Sequence, residues 1–209
     1  MKSYKLFIEQ QNAFTVGLFP GAFKPPHKGH YETAKRMALE NQAAVLLMSG
    51  ETREGITPEK ALQTWEIYKK TLPKNLFVFI VAGSPVTAIY QIVNILNNGE
   101  YVPTSDKVLA PLPEALDIAT HLKNNTPPYK IRLYASAEDM KRYAAFFNAK
   151  TSKFYLHKQV TEIKQKPVSR LASATVARKA IAEKNKDEFL SLLPEISSAD
   201  KQNIVRLFI

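Results

Sequence analysis

The chain has 209 residues, 45% of them hydrophobic and 23% charged, enough for one domain with a full hydrophobic core. It has no cysteine, which excludes disulfides and thiolate metal sites, and no apolar run of the roughly 18 residues that a membrane-spanning helix needs. A net charge of +10 favours a polyanionic partner, a nucleoside triphosphate or a nucleic acid.

In chain order, residues 1–12 (MKSYKLFIEQQN) hold a single apolar triplet, Leu6 to Ile8, too short for an export signal, and read as an N-terminal arm or leader. With neither an export signal nor a membrane span, a cytoplasmic location is expected. From residue 13 onward, short apolar runs alternate with helix-length mixed segments. Strands are predicted at TVGLFPG (15–21), AVLLMSG (44–50), LFVFIVAG (76–83), KIRLYAS (130–136) and KFYLHKQV (153–160). Their near-continuous apolar character points to strands covered on both faces, as in a parallel sheet. Helices are predicted over 30–41, 58–71, 85–96, 114–123, 137–148 and 174–185, with Thr57 and Ser84 each an N-cap ahead of a proline. Residues 97–113 read as a surface loop, and 187–209 as a small C-terminal helical appendage. The alternation predicts a doubly wound α/β domain over 13–186 with a parallel five-stranded sheet, whose ligands bind beyond the carboxyl ends of the strands.

The stretch GLFPGAFKPPHKGHYETAKR lies at such an end, after the first strand. Gly21 allows a sharp turn or a close approach to a ligand, and Pro25-Pro26 hold the chain extended, so the helix is expected to begin near Gly29. His27 and His30 then flank that helix start, where N–H groups and the helix dipole suit a phosphate, and Gly29 leaves room between them. Zinc binding by the histidine pair and simple turn chemistry are the competing readings. A second helix start, LASATVAR, has Ser173 as N-cap with Thr175 and Arg178 on one face, suited to the β and γ phosphates of a triphosphate. An ordinary capped helix with a surface arginine is the alternative. This second start lies inside a strongly basic segment, residues 150–186, which holds ten lysines and arginines against two acidic residues.

These residues resemble a known family. Gly21, Phe23, Pro25, His27, Gly29 and His30 spell G-x-F-x-P-x-H-x-G-H, and Ser173, Thr175 and Arg178 are similar to a second signature of the I-S-S-T-x-I-R type; together they resemble the H-x-G-H nucleotidyltransferase superfamily. The resemblance implies a Rossmann-like fold. It also implies transfer of a nucleoside monophosphate from a nucleoside triphosphate to a phosphorylated small-molecule acceptor, with release of pyrophosphate. Catalytic roles fall on His27 and His30 at the α-phosphate, on Arg178 with Thr175 at the pyrophosphate, and on Lys24 at either. Nucleotide contacts fall on Phe19, Pro20, Gly21, Ala22, Phe23, His27, Gly29, His30, Ser173, Thr175 and Arg178. Magnesium is expected with ATP or CTP, bridging phosphate oxygens without a dedicated protein cage. Pro25 ahead of the first histidine resembles the nicotinamide mononucleotide and phosphopantetheine adenylyltransferases, which favours AMP transfer over a CTP-using cytidylyltransferase. The arginine that archaeal-type nicotinamide mononucleotide adenylyltransferases carry after the glycine is Ala22 here. The short opening followed by such a domain is also similar to nucleotidyltransferases of large tailed bacteriophages, which would act in the host cytoplasm.

For the acceptor, Arg53, Trp65 and Asp139 are the candidates. Arg53, with Lys60, offers charge to a phosphate, and solvated charge is the alternative. Trp65 offers a stacking ring, although Leu62, Trp65 and Tyr68 also form a core-facing helical stripe. Asp139 with Ser136 loosely resembles a Gly-x-Asp segment of several relatives. His157 reads as a packed core histidine. A catalytically silent nucleotide- or nucleic-acid-binding protein is the rival function, carried by the basic segment.

Overall fold

Successive residues of the central strands enter two different cores, which is why those strands are apolar without alternation. The computed structural model describes residues 13–103, 110–125, 127–146, 158–168 and 172–209. Five strands, β1 (Phe14–Gly21), β2 (Ala43–Ser49), β3 (Leu76–Val81), β4 (Tyr129–Ala135) and β5 (Val160–Pro167), form one parallel sheet in the order β3-β2-β1-β4-β5. The helices are α1 (Lys28–Glu40), α2 (Pro58–Lys69), α3 (Pro85–Asn98), α4 (Pro113–Lys123), a 3-10 helix at Asp139–Phe146, α5 (Ala174–Ala182), α6 (Lys186–Ser191) and α7 (Ser198–Phe208). The fold is a Rossmann-like α/β sandwich with C-terminal helices.

Val16 and Leu18 of β1, Val45 and Leu47 of β2, and Ile131 and Leu133 of β4 pack under α3 and α4. On the other face Phe19, Leu46, Met48 and Tyr134 meet α1, α2, α5, α6 and α7. Helix α1 lies flush on β1 because Gly17 has no side chain: a Cβ there would come within 2.4 Å of Met37 Cγ. The C-terminal helices bury Phe189, Leu193, Ile204 and Val205 in this same cluster.

Several expectations are corrected. The fifth strand is Val160–Pro167, after the predicted 153–160, whose residues 153–157 lie outside the described ones, as do residues 1–12. Among the described residues it is an edge strand paired to β4, and its VTEIKQKP mixture carries the charged residues that keep such an edge from pairing further. The segment expected as a helix over 137–148 forms a 3-10 helix at 139–146, with 147–148 outside the described residues. Helix α1 begins at Lys28, next to the Gly29 start that was expected. Thr57 caps α2 as expected, accepting from the Lys60 N–H at 3.4 Å, whereas Ser84 occupies the N-cap position of α3 without a side-chain hydrogen bond.

Candidate active site

Strands β1 and β4 are neighbours from which the chain runs outward in opposite directions, so a crevice opens at their carboxyl ends. A cleft of about 300 Å³ fills this place, and Phe19, Pro20, Gly21, Ala22, Phe23, Lys24, His27, Gly29 and His30 line one side of it. Ser173, Thr175 and Arg178 line the same cleft, so the two helix starts face one cavity. Both sets of predicted nucleotide contacts are therefore brought together.

The turn after β1 is made by Phe23, not by Gly21. Phe23 has φ 51°, a left-handed conformation that costs an L-residue roughly 1–2 kcal/mol. Its ring is repaid by edge-on contacts with Phe19 at 4.8 Å, His30 at 5.0 Å and Trp65 at 5.8 Å between centroids. Gly21 makes room for it, since a Cβ there would fall 2.8 Å from the Phe23 ring. The Lys24–Pro25 peptide that follows is cis.

His27 is the N-cap of α1. Its Nδ1 accepts from the Gly29 N–H at 3.2 Å, and the His27 N–H donates to His30 Nδ1 at 3.4 Å. A neutral imidazole with Nδ1 accepting carries its proton on Nε2, so the network assigns an Nε2–H donor to both rings. The rings stack 3.7 Å apart. Burial lowers the pKa of His27 to about 4, and burial followed by the charge of His27 holds His30 well below the ordinary histidine value. Gly29 fits closely rather than leaving open space: a Cβ would meet His27 Cε1 at 3.2 Å and the Ala172 backbone nitrogen at 3.4 Å, so here the two helix-start loops touch.

The N–H groups of α1 are mostly taken. Lys28 donates to Leu192 O at 2.8 Å, Gly29 to His27 Nδ1, and Tyr31 to His27 O at 3.0 Å. Helix α5 differs, because Ser173 makes no side-chain cap, and the exposed residues Ser173 and Thr175 stand at its start. Arg178 is 7% exposed and donates through Nη1 to Lys24 O at 3.2 Å and through Nη2 to Thr175 Oγ1 at 3.3 Å. Its Nε lies 2.7 Å from Glu54 Oε1, near enough for an ion pair but out of line for a hydrogen bond.

Lys24 lines the cleft, but its ammonium donates to the backbone carbonyls of Ser49, at 2.6 Å, and Glu51. Burial lowers its pKa against the pull of Glu51 and then Glu59. Its charge thus anchors the end of β2 to the histidine loop.

Of the acceptor candidates, Arg53 and Asp139 line the cleft and Trp65 does not. Trp65 is fully buried, with its ring against Phe23 and Tyr68, so the helical stripe is core. Lys60 is absent from the lining. Asp139 is oriented by Ser136, whose Oγ donates to Asp139 Oδ2 at 2.8 Å and accepts from the Asp139 N–H at 3.1 Å. His157 lies outside the described residues.

The basic segment is offset in part. Lys166 pairs with Glu40 and Arg178 with Glu54, both far earlier in the chain, while Lys164 pairs with Glu162 and Lys179 with Glu183 inside the segment. Lys150, Lys153 and Arg170 lie outside the described residues. Sequence reasoning passed over Glu54 and the lining residues Thr33, Val168 and Ala172. For Glu54 a signal was present, since Glu54-Gly55 is a turn dipeptide, and both residues have positive φ inside the Arg53–Ile56 bridge. Among the described residues no group of three or more His, Asp or Glu could hold a metal ion, and no helix is long and apolar enough to cross a membrane.

A scan of family models and a search of curated proteins find no match. Among solved structures, a protein provisionally assigned as a nicotinate-nucleotide adenylyltransferase from Vibrio parahaemolyticus is 12% identical, with 92% of this chain and 99% of that one covered at a TM-score of 0.52. It shares the fold. A NadR protein in complex with NR is 18% identical over 85% of this chain and 43% of its own, at a TM-score of 0.46. A bifunctional NMN adenylyltransferase/ADP ribose pyrophosphatase from Francisella tularensis, complexed with AMP and a manganese ion, is 13% identical over 81% and 42%, at 0.48. The chain spans under half the length of these last two.

Proposed function

We propose that the chain is a nucleotidyltransferase that moves a nucleoside monophosphate, AMP in preference to CMP, from a nucleoside triphosphate to a phosphorylated small molecule and releases pyrophosphate. The observation that carries this reading is the sharing of one cleft, at the switch point of the sheet, by the His27–His30 pair and Arg178. AMP is favoured by the resemblance of Pro25 and its motif to adenylyltransferases, and the fold-sharing Vibrio protein bears an adenylyltransferase's name.

A phosphate oxygen of the acceptor attacks the α phosphorus, the bond to the bridging oxygen breaks, and pyrophosphate leaves with that electron pair. The protein orients and neutralises. His27 and His30, neutral at pH 7, donate Nε2–H hydrogen bonds to α-phosphate oxygens without altering the charge of the site. Arg178, Thr175 and the start of α5 receive the charge that develops on pyrophosphate. Arg53 meets the acceptor's phosphate, and Asp139, fixed by Ser136, accepts from an acceptor hydroxyl. Magnesium fits as an ion carried by the triphosphate: with no cluster of protein ligands among the described residues, phosphate oxygens and water would hold it. Its contribution when bound is to offset phosphate charge.

Pyrophosphate release, followed with ATP or CTP, magnesium and a panel of phosphate-bearing acceptors, tests the reading. One acceptor should support turnover, and Arg178→Ala and His30→Ala should each lower it by about 10²–10³-fold, the usual cost of removing a preorganised donor. Release with no pair, or release unchanged in His30→Ala, would overturn it.

A further inference from the structure

Helices α1 and α6 meet end to end. Lys28, the residue between His27 and Gly29, donates its backbone N–H to Leu192 O at 2.8 Å and its ammonium to Ser191 O at 3.1 Å. Ser191 is the last residue of α6 and Leu192 its C-cap. A helix leaves its first N–H and last C=O groups unpaired, and a cation at its C-terminus is favoured. Here the open donor of one helix and the open acceptors of the other satisfy each other, with the lysine charge added at the negative end.

The segment that makes this contact comes directly from the second motif. After α5, the Asn185 N–H donates to Ala180 O at 2.8 Å, and Phe189 and Leu193, fully or almost fully buried, seat α6 in the cluster that holds Ala177 and Ala180. The chain therefore leaves the helix that bears Arg178, is anchored in the core, and returns to grip the first residue of the helix that bears the histidines. Arg178 itself holds the histidine loop by its hydrogen bond to Lys24 O. We infer that Lys28 is a positioning residue: through the carbonyls of Ser191 and Leu192 it sets the placement of the imidazole pair relative to Arg178, making the C-terminal helices part of the active unit. The kinetic consequence rests on the proposed reaction; the structural one does not.

Proline is the discriminating substitution. At the first helical position its missing N–H and fixed φ are tolerated, and His27, at φ −136° and ψ 176°, already has the extended backbone that a residue before proline adopts. Lys28→Pro thus removes both contacts while leaving α1 able to form. Lys28→Met removes only the ammonium contact, and Lys28→Arg restores a long cation.

Two readouts apply, the 15N-edited imidazole spectrum of the full chain and steady-state pyrophosphate release. Lys28→Pro should shift the His27 and His30 resonances and lower kcat about tenfold, with the KM for the triphosphate changed less than about twofold, as misplacement of a group already bound predicts. Lys28→Met should fall between, and Lys28→Arg should return both readouts toward wild type. A lowered melting temperature with unchanged imidazole resonances would reduce Lys28 to a purely structural role and overturn the inference. So would wild-type kcat in Lys28→Pro. If the wild-type chain releases no pyrophosphate, the functional reading falls, and the imidazole spectra still decide the positioning role.

Discussion

The two helix starts that face the cleft solve the same problem in opposite ways. At α1 the backbone donors are consumed internally, by Leu192 O, His27 Nδ1 and His27 O, so that side chains, not N–H groups, face a ligand. At α5 Ser173 forms no side-chain cap, and Arg178 reaches the cleft beside Thr175. The first start is built for placement, with two stacked neutral rings locked to one tautomer. The second is built for charge, with a guanidinium beside a helix start that Ser173 does not cap. The proposed group transfer between anions would ask for both, because a fixed α-phosphate and a stabilised leaving group are separate demands.

Acid should break the closed start first. The unfolded chain holds its histidines at the ordinary value near 6.5, while burial puts His27 at about 4 in the fold. As pH falls, the unfolded state binds the proton first, so the stability from this site is complete above about 6.5 and is lost as pH falls through about 4. The loss for His27 is on the order of 3 kcal/mol, and protonated Nδ1 can no longer accept from Gly29. Urea melts between pH 7.5 and 4.5 measure it. His27→Asn, which keeps an N-cap acceptor that does not titrate, should show a shallower decline; an equal slope would deny His27 this part.

Truncating the caps compares the two starts directly. His27→Ala should cost about 1–2 kcal/mol, as loss of a working cap does, and Ser173→Ala less than about 0.5 kcal/mol. Equal costs in denaturant titrations would show that α5 is as closed as α1.

The smallest effect sharpens the open side. Glu54 lies against the guanidinium that a triphosphate would need, and its side chain is 59% exposed, so it can leave. Glu54→Gln should tighten triphosphate binding about two- to fivefold, the range of an exposed ion pair, in calorimetric titration at low salt. Weakened binding would instead make Glu54 an orienting partner of Arg178.

How much was legible follows burial. Strands β1, β2 and β4 lie inside the sheet and stand out as apolar runs; β3, at one edge and half-buried over Phe77 to Ile80, is still apolar throughout, while β5, at the other edge, half faces solvent and reads as polar. The glycine, proline and histidine spacing marked the first helix start correctly, yet nothing local foretold that Phe23 would take the left-handed turn, because tertiary packing on Phe19, His30 and Trp65 stabilises it. Trp65 had two readings at the same helical spacing, and only its complete burial separates them. Part of the excess charge of residues 150–186 is opposed by Glu40 and Glu54, which pair with Lys166 and Arg178 from far earlier in the chain, where no local pattern could show it.

Gly17 gives the histidine pair its height above the sheet. Met37 rests on the bare Cα, and His30 sits two turns away along the same rod, about 10 Å at 1.5 Å per residue. A methyl group at Gly17 would act like a wedge under one end of a lever, tilting the other end across the mouth of the cleft. The chemistry proposed at the rim would thereby be tuned from beneath the floor, by a position outside the cleft lining.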